Sequence, residues 1–218
     1  PSSTSANPYA LVLPNTIEFD LKARVDELRF EEFRATDIRG TVRMKDRVLT
    51  ATPITLQTAN GAVLGSLTLD GRGGAGASAY PLAIDATIKD IDITALFKEF
   101  QDFGQEFIGY RHLSGTTSAR IVFNAPLSPA MHIDRDQMTC TLDIGIDKGG
   151  IKGHAPLLQV ADHLEQNKLI APFVDVKEFR KKLADVRFER LENRIEIKDG
   201  AVHIPLMDVR TTAMDIEL

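Results

Sequence analysis

Tryptophan is missing from the 218 residues, and phenylalanine and tyrosine bring the aromatic share to only 6%. This scarcity argues against a carbohydrate or nucleobase platform, because such platforms usually bind through aromatic faces. Basic residues are also outnumbered, with 26 lysines and arginines against 31 aspartates and glutamates. A net charge of −5 without a basic stripe argues against nucleic acid as a partner.

Cysteine occurs once, at Cys140, which excludes an internal disulfide. Its place in an alternating stretch predicts a small buried side chain. No apolar run reaches the roughly 18 residues of a membrane helix, and residues 1–14 lack the regions of a signal peptide. We expect an excised fragment of a longer protein, with residues 1–12 as a linker and residues 13–218 as one domain.

Alternation of apolar and polar residues dominates what is present. Ile17, Phe19 and Leu21 are separated by charged residues, which predicts a strand with one apolar face. The same pattern predicts strands at residues 37–44, 48–58, 62–70, 82–88, 117–123 and 137–147. Asn60-Gly61 is a strong hairpin signal between two of them, so these strands are expected to be antiparallel neighbours.

Two stretches of the chain resemble each other. An Arg-Phe-Glu-x-apolar signature begins at Arg29 and again at Arg187. Each copy continues through an alternating strand into a Lys-Asp turn, then into a strand broken by Pro53 or Pro205. A spacing of roughly 150 residues is too wide for a solenoid repeat, so we expect equivalent strands in two layers of one β-rich body.

Helical spacing appears in three places. Residues 92–109 carry an apolar stripe that includes Phe97, Phe100, Phe103 and Phe107. This helix is interpreted as packing on the sheet; a lid over an apolar ligand and a membrane-surface helix are the alternatives. Further helices are predicted near Pro156 and from Asp175, the second with a basic cluster that suits a solvated face or anionic headgroups.

Motifs that would carry chemistry are weak. The Gly-rich residues 71–81 precede another strand instead of a helix, which favours a hairpin over a phosphate loop. His132, Asp134 and Asp136 would share one face of a strand and are the best candidate for a metal site, with a wet surface as the simpler reading. The sequence contains no Gly-x-Ser-x-Gly elbow and no other catalytic constellation, so a non-enzymatic protein without a cofactor is expected.

In this order the pieces resemble the C-terminal region of the AsmA family of bacterial envelope proteins. The matching segments cover most of the chain, and the order of the segments carries the resemblance more than any single one. They are IRGTVRMKDRVLTATPITLQTANGAVLGSLTLDG (38–71), IDITALFKEF (91–100), LSGTTSARIVFNAP (113–126), TCTLDIGIDKGGIKGHAPLLQVADHL (139–164) and IKDGAVHIPLMDVRTTAMDIEL (197–218).

The resemblance implies a periplasmic module of a protein anchored in the inner membrane, involved in lipid transport and outer-membrane lipid homeostasis. The implied partners are phospholipid or another acyl-chain lipid, the two membranes and other envelope proteins. The implied fold is mainly β, a curved, groove-like antiparallel sheet with two or three amphipathic helices. Candidate groove residues are Phe97, Phe100, Phe103, Phe107, Ile121, Phe123, Leu142 and Ile144.

Two alternatives stay open. A structural or assembly module for outer-membrane proteins would bury the same apolar face under its own helices, with no lipid bound. An enzyme or metal-binding module would use His132, Asp134 and Asp136. The position of the helices on the sheet distinguishes the first, and the separation of those three side chains the second.

Overall fold

The computed structural model describes residues 10–74, 77–104, 106–166, 175–205, 208–212 and 215–217. Within them, one antiparallel sheet holds nine strands whose spatial order is the order of the chain. The strands are β1 Phe19–Phe30, β2 Phe33–Lys45, β3 Val48–Thr58, β4 Gly61–Asp70, β5 Tyr80–Asp92, β6 Leu113–Leu127, β7 Thr139–Lys152, β8 Asp185–Lys198 and β9 Ala201–His203.

The remaining elements are few. Two short strands, β10 Asp208–Arg210 and β11 Asp215–Glu217, pair with each other. The described helices are α1 Ile93–Glu99, α2 Ala155–Gln166 and α3 Val176–Ala184, with a 3-10 helix at Gln101–Gly104. The sheet is open and curled, so the prediction of a mainly β, curved antiparallel sheet with few helices is confirmed.

The tight hairpins use residues with positive φ. Asp199-Gly200 turns where the sequence predicts, with φ of 53° and 71°. The turn between β3 and β4 lies one residue earlier than expected, at Ala59 and Asn60, with φ of 44° and 65°. Positive φ at both central positions matches the twist of the flanking strands, and asparagine tolerates it well.

The internal similarity does not mark two layers, and that expectation is wrong. The strands that carry the two Arg-Phe-Glu signatures belong to the same nine-stranded sheet. The first signature crosses the hairpin from β1 to β2, whereas the second, from Arg187, lies within β8. The shared pattern therefore reflects the common period of two in neighbouring strands rather than equivalent positions.

Bulges keep apolar side chains on one face of these long strands. Although a Lys-Gly-Gly sequence is typical of a turn, Lys148-Gly149-Gly150 is part of β7, where Lys148 has a φ of 49°. Asp90 has a φ of 55° at a register shift in β5, so Ile88 and Ile91 face the same side although they are three residues apart. An extra residue resets the alternation without ending the strand.

The two ends of the apolar face are covered by different parts of the chain. At one end, Leu13 is 5% exposed and packs with Met44, Leu69, Tyr80 and Leu82. The Tyr80 hydroxyl donates a hydrogen bond to the carbonyl oxygen of Leu11 at 3.3 Å, which fixes this segment. The N-terminal segment thus forms a small core with the strand ends beneath it.

The helices close the opposite end. Ala161 of α2, Leu183 of α3 and Val186 of β8 form a second buried cluster. Asp175 is the N-cap of α3, because its carboxylate accepts the backbone N–H of Glu178 at 3.0 Å. The basic face of α3 is partly neutralised, since Arg180 pairs with Asp162 and Glu165 of α2.

Substituting Gly149 with alanine is expected to destabilise the protein by about 1–3 kcal/mol, because an added Cβ would overlap the ring of Phe188. Gly145→Ala is the matched control in the same strand, since its Cβ would meet no atom nearer than 3.6 Å. Urea unfolding followed by circular dichroism measures both. Equal losses of stability in the two variants would contradict this close packing.

Candidate functional site

The strand register aligns apolar side chains into rows that run across the sheet. We define two of these as the central rows. The first central row comprises Leu21, Val42, Ala51, Leu67, Ile84, Phe123, Cys140, Ile197 and Val202. The second comprises Ala23, Gly40, Ile54, Gly65, Ala86, Ile121, Leu142 and Ile195. Paired residues of antiparallel strands share a face, so both rows lie on one side, the inner face.

No charged residue belongs to either central row. The first row crosses all nine strands and the second crosses eight of them. The second is shallow from β1 to β5, where four of its members are alanine or glycine, and bulkier from β6 onward. We call this continuous apolar strip the lane. Its side chains can bind hydrocarbon, but they provide no charged partner for a polar group.

The described helices do not cover the central rows. Among the described residues, α2 and α3 pack on each other, and α3 contacts β7 and β8. Ala161 of α2 also reaches Val186 of β8. Helix α1 contacts β5 and β6 near their ends. Thr94 ties it there, because its hydroxyl donates a hydrogen bond to the carbonyl oxygen of Leu113 at 2.8 Å. The helices therefore lie at one end of the inner face and leave its middle open among the described residues.

Exposure values agree with an open middle. Most members of the central rows are half-buried, and Leu21 and Val202 at the two edges of the sheet are 45% and 60% exposed. Side chains beneath a packed helix would be fully buried, as Leu183 is at 1%. Full plugging by helices, which the structural-module alternative requires, is not seen over the described residues.

The outer face has the opposite character. Cross-strand ion pairs join Arg120 to Asp85 at 2.8 Å and Arg194 to Asp143 at 3.2 Å. All four side chains are about half exposed, so each pair adds little stability. These charges keep the outer face polar and solvated, in contrast to the inner face.

The four strand candidates lie together on the inner face. Ile121 and Leu142 are direct partners across β6 and β7, and Phe123 stands opposite Cys140. Ile144 faces Ala119 in the neighbouring row, which ends at Asn193 of β8. Alternation along each strand was sufficient to place these residues, because a half-buried strand shows one face at every second position.

The phenylalanine stripe does not form one helix. Helix α1 ends at Glu99, and positive φ at Gln101 and Asp102 breaks the helical path. Phe97 is half-buried on α1, and Phe100 is 43% exposed with its ring 5.5 Å from that of Phe33. Phe103 lies in the 3-10 helix.

Phe107 follows in a non-helical segment and is 68% exposed. Its ring lies 5.0 Å from the ring of His154, whose Nε2 is 2.8 Å from the Phe107 carbonyl oxygen. The aromatic candidates are therefore found at the helical end of the sheet and do not join the four strand candidates. The expectation of one continuous helix over residues 92–109 is wrong.

The candidate metal ligands lie in a turn rather than a strand. The Asp134 carboxylate accepts the backbone N–H of Asp136 at 3.0 Å and the side-chain amide of Gln137 at 2.7 Å. Across the described ranges, no three His, Cys, Asp or Glu side chains are grouped closely enough to hold a metal ion. The shared face expected for His132, Asp134 and Asp136 is therefore not formed.

Several residues of the apolar face escaped the sequence analysis. The small members Gly40 and Gly65 carry no hydrophobic signal, yet they set the depth of the second central row. The N-terminal segment with Leu11 and Leu13 was assigned partly to a linker, because the residues there show no strand or helix periodicity. Its one signal was the apolar stretch from Ala10 to Leu13.

Comparison of the chain with protein-family models, with curated proteins and with solved structures finds no match in any of the three. Among the described residues, no helix is long and apolar enough to cross a membrane. The fold and site therefore define the molecule by themselves. Over the described residues it is an open antiparallel sheet with one apolar face, which is covered at both ends and not covered by the helices in the middle.

Cys140 provides a native probe of the first central row. Partial burial raises the pKa of its thiol, so the reactive thiolate forms at higher pH than for an ordinary cysteine. We expect slow maleimide labelling that accelerates as pH rises through that raised pKa, and further slowing when phospholipid is added.

The matched control moves the thiol to the outer face by combining Cys140→Ser with Thr141→Cys. Labelling of this variant should be unaffected by lipid, because Thr141 faces the opposite side of β7. Mass spectrometry of the labelled fraction over time measures both rates. Lipid protection of both thiols, or of neither, would contradict the assignment of faces.

Proposed function

We propose that this chain is a non-enzymatic module that carries the acyl chains of phospholipid or a similar lipid along its inner face. The observation that supports this most is the pair of central rows, apolar across the sheet and uncovered among the described residues. Large uncovered apolar faces are rare on soluble monomers and mark sites of interaction.

The length of the rows suits a lane better than a pocket. Nine strands at a spacing of about 4.8 Å give a row of roughly 38 Å. A bilayer core of about 30 Å holds two layers of acyl chains, so one chain occupies about 15 Å. A row is thus long enough for more than one chain end to end, and an acyl chain can shift along it without losing contact.

Burial of hydrocarbon supplies the driving force. Each methylene removed from water contributes about 0.8 kcal/mol, and the rows offer no polar partner that would fix a chain at one position. Binding of this kind is strong in sum but weakly selective among chain types. The polar headgroup would remain in solvent at the open side, since neither central row carries a charged residue.

The cellular setting follows from the AsmA-like segments rather than from the apolar face. By that resemblance we place the chain in the periplasm, within a parent protein anchored to the inner membrane, and assign it to lipid transport and outer-membrane lipid homeostasis. An apolar lane between two membranes fits such a role, because acyl chains cannot cross water unaided.

Introducing a charge into a central row is expected to abolish lipid binding. Ile121→Asp or Leu142→Asp would place a carboxylate among hydrocarbon, where an unpaired charge is costly. Native mass spectrometry of protein purified gently from a double-membraned bacterium, followed by solvent extraction, measures bound phospholipid. We expect stoichiometric lipid on the unchanged chain and at least a tenfold loss in these variants.

Val122→Asp is the matched control, because Val122 neighbours Ile121 in β6, faces outward and is 37% exposed. It should keep its lipid. To separate binding from folding, a photo-crosslinking amino acid is placed at position 142 or at position 122. Lipid adducts are expected at 142 only; adducts at neither position, or equally at both, would refute the proposal.

A further inference from the structure

The two edges of the sheet differ in what they offer a further strand. At one edge, β9 is only three residues long, and Thr211 and Thr212 pair with β8 beyond it. At the other edge, the twelve residues of β1 pair only with β2 among the residues that the structure describes. A long unpaired edge exposes a row of backbone donors and acceptors and is a ready template for another strand.

The residues along this edge are exposed on both faces. Leu21 and Val25 of β1 lie on the inner face and are 45% and 41% exposed, and Ile17, just before the strand, is 52% exposed. The outer face of β1 carries Asp20, Lys22, Arg24 and Asp26, and Glu18 directly precedes the strand. Within the described residues, neither Glu18 nor Lys22 forms an ion pair, whereas Asp20 pairs with Arg43, and Arg24, which lies opposite Arg39, pairs with Asp26.

We propose that β1 pairs antiparallel with β1 of a second copy of this chain, around a two-fold axis through Leu21. In this register Leu21 faces Leu21 of the second copy. Asp20 then faces Lys22 of the second copy, and Glu18 faces Arg24 of the second copy. Symmetry doubles both contacts, so unlike charges meet at every charged position between 18 and 24.

Charge complementarity selects this register among those that symmetry allows. A shift of one residue about the axis places the axis on Asp20 or on Lys22 and sets that residue against itself. A further shift toward the C-terminus sets Lys22 against Arg24. Charges on an edge strand usually prevent pairing, but in the register centred on Leu21 each charged residue from 18 to 24 faces an unlike charge of the second copy, in addition to the pairs that Asp20 and Arg24 make within their own chain.

Pairing with a second copy would also make the inner faces of the two copies continuous. A two-fold axis perpendicular to the sheet keeps the inner faces of both copies on the same side, so the central row continues from Leu21 into Leu21 of the second copy. Pairing with β9 of another copy would engage only three residues. The proposal does not rest on lipid binding, although it would double the length of the lane if both hold.

Reciprocal charge variants test the register. Glu18→Arg alone sets arginine against Arg24, and Arg24→Glu alone sets glutamate against Glu18, so each variant should be monomeric in sedimentation velocity at low salt. An equimolar mixture of the two should restore the dimer, because every contact is again between unlike charges. Native mass spectrometry identifies the mixed species by mass.

Cross-linking tests the axis directly. With Cys140 replaced by serine, Leu21→Cys should form a disulfide dimer on mild oxidation, since directly paired Cα atoms lie about 4.5–5.5 Å apart. Ala23→Cys, two residues from the axis, should not. A monomeric parent chain, single variants that still dimerise, or equal cross-linking at both positions would each overturn the proposal.

Discussion

Period-two alternation on a single layer of strands is the constraint on which this structure depends. Because every strand repeats the alternation and the pairing is in register, apolar side chains of the two central rows meet apolar neighbours across the strands. Bulges with positive φ at Asp90 and Lys148 keep that register in strands too long to remain regular. A shift of one residue in the pairing of a strand would move its apolar side chains from the inner face to the solvent-exposed outer face.

A single-layer sheet must still bury enough hydrocarbon to fold. This chain does so at the two ends, with Leu13 over one and the α2–α3 pair over the other. Among the described residues the packed clusters lie toward the two ends of the face, with Leu67, Ile84 and Phe123 of the first central row bordering the Leu13 cluster, and the middle is the part that we propose to bind a partner. The division explains how an uncovered apolar surface is compatible with a stable domain.

Much of this could be predicted from sequence, because alternation reports faces directly. Alternation predicted strands at residues 117–123 and 137–147, and in the structure Ile121, Phe123, Leu142 and Ile144 lie on one face. What alternation cannot report is where a long strand bulges or where a helix stops. The apolar stripe continues past Phe100 although positive φ at Gln101 ends the helix, and self-similarity of two segments does not tell one sheet from two.

The most direct measurement of the central claim is a nuclear magnetic resonance titration of the methyl-labelled protein with phospholipid carrying a spin label on its acyl chain. We expect strong signal loss for methyl groups of the central rows, such as those of Leu67 and Leu142, because these rows contact the spin-labelled acyl chain. The methyl signals of Leu183, in the cluster between the helices, should keep their intensity. Equal loss throughout, or loss confined to the core, would contradict an acyl chain bound on the inner face.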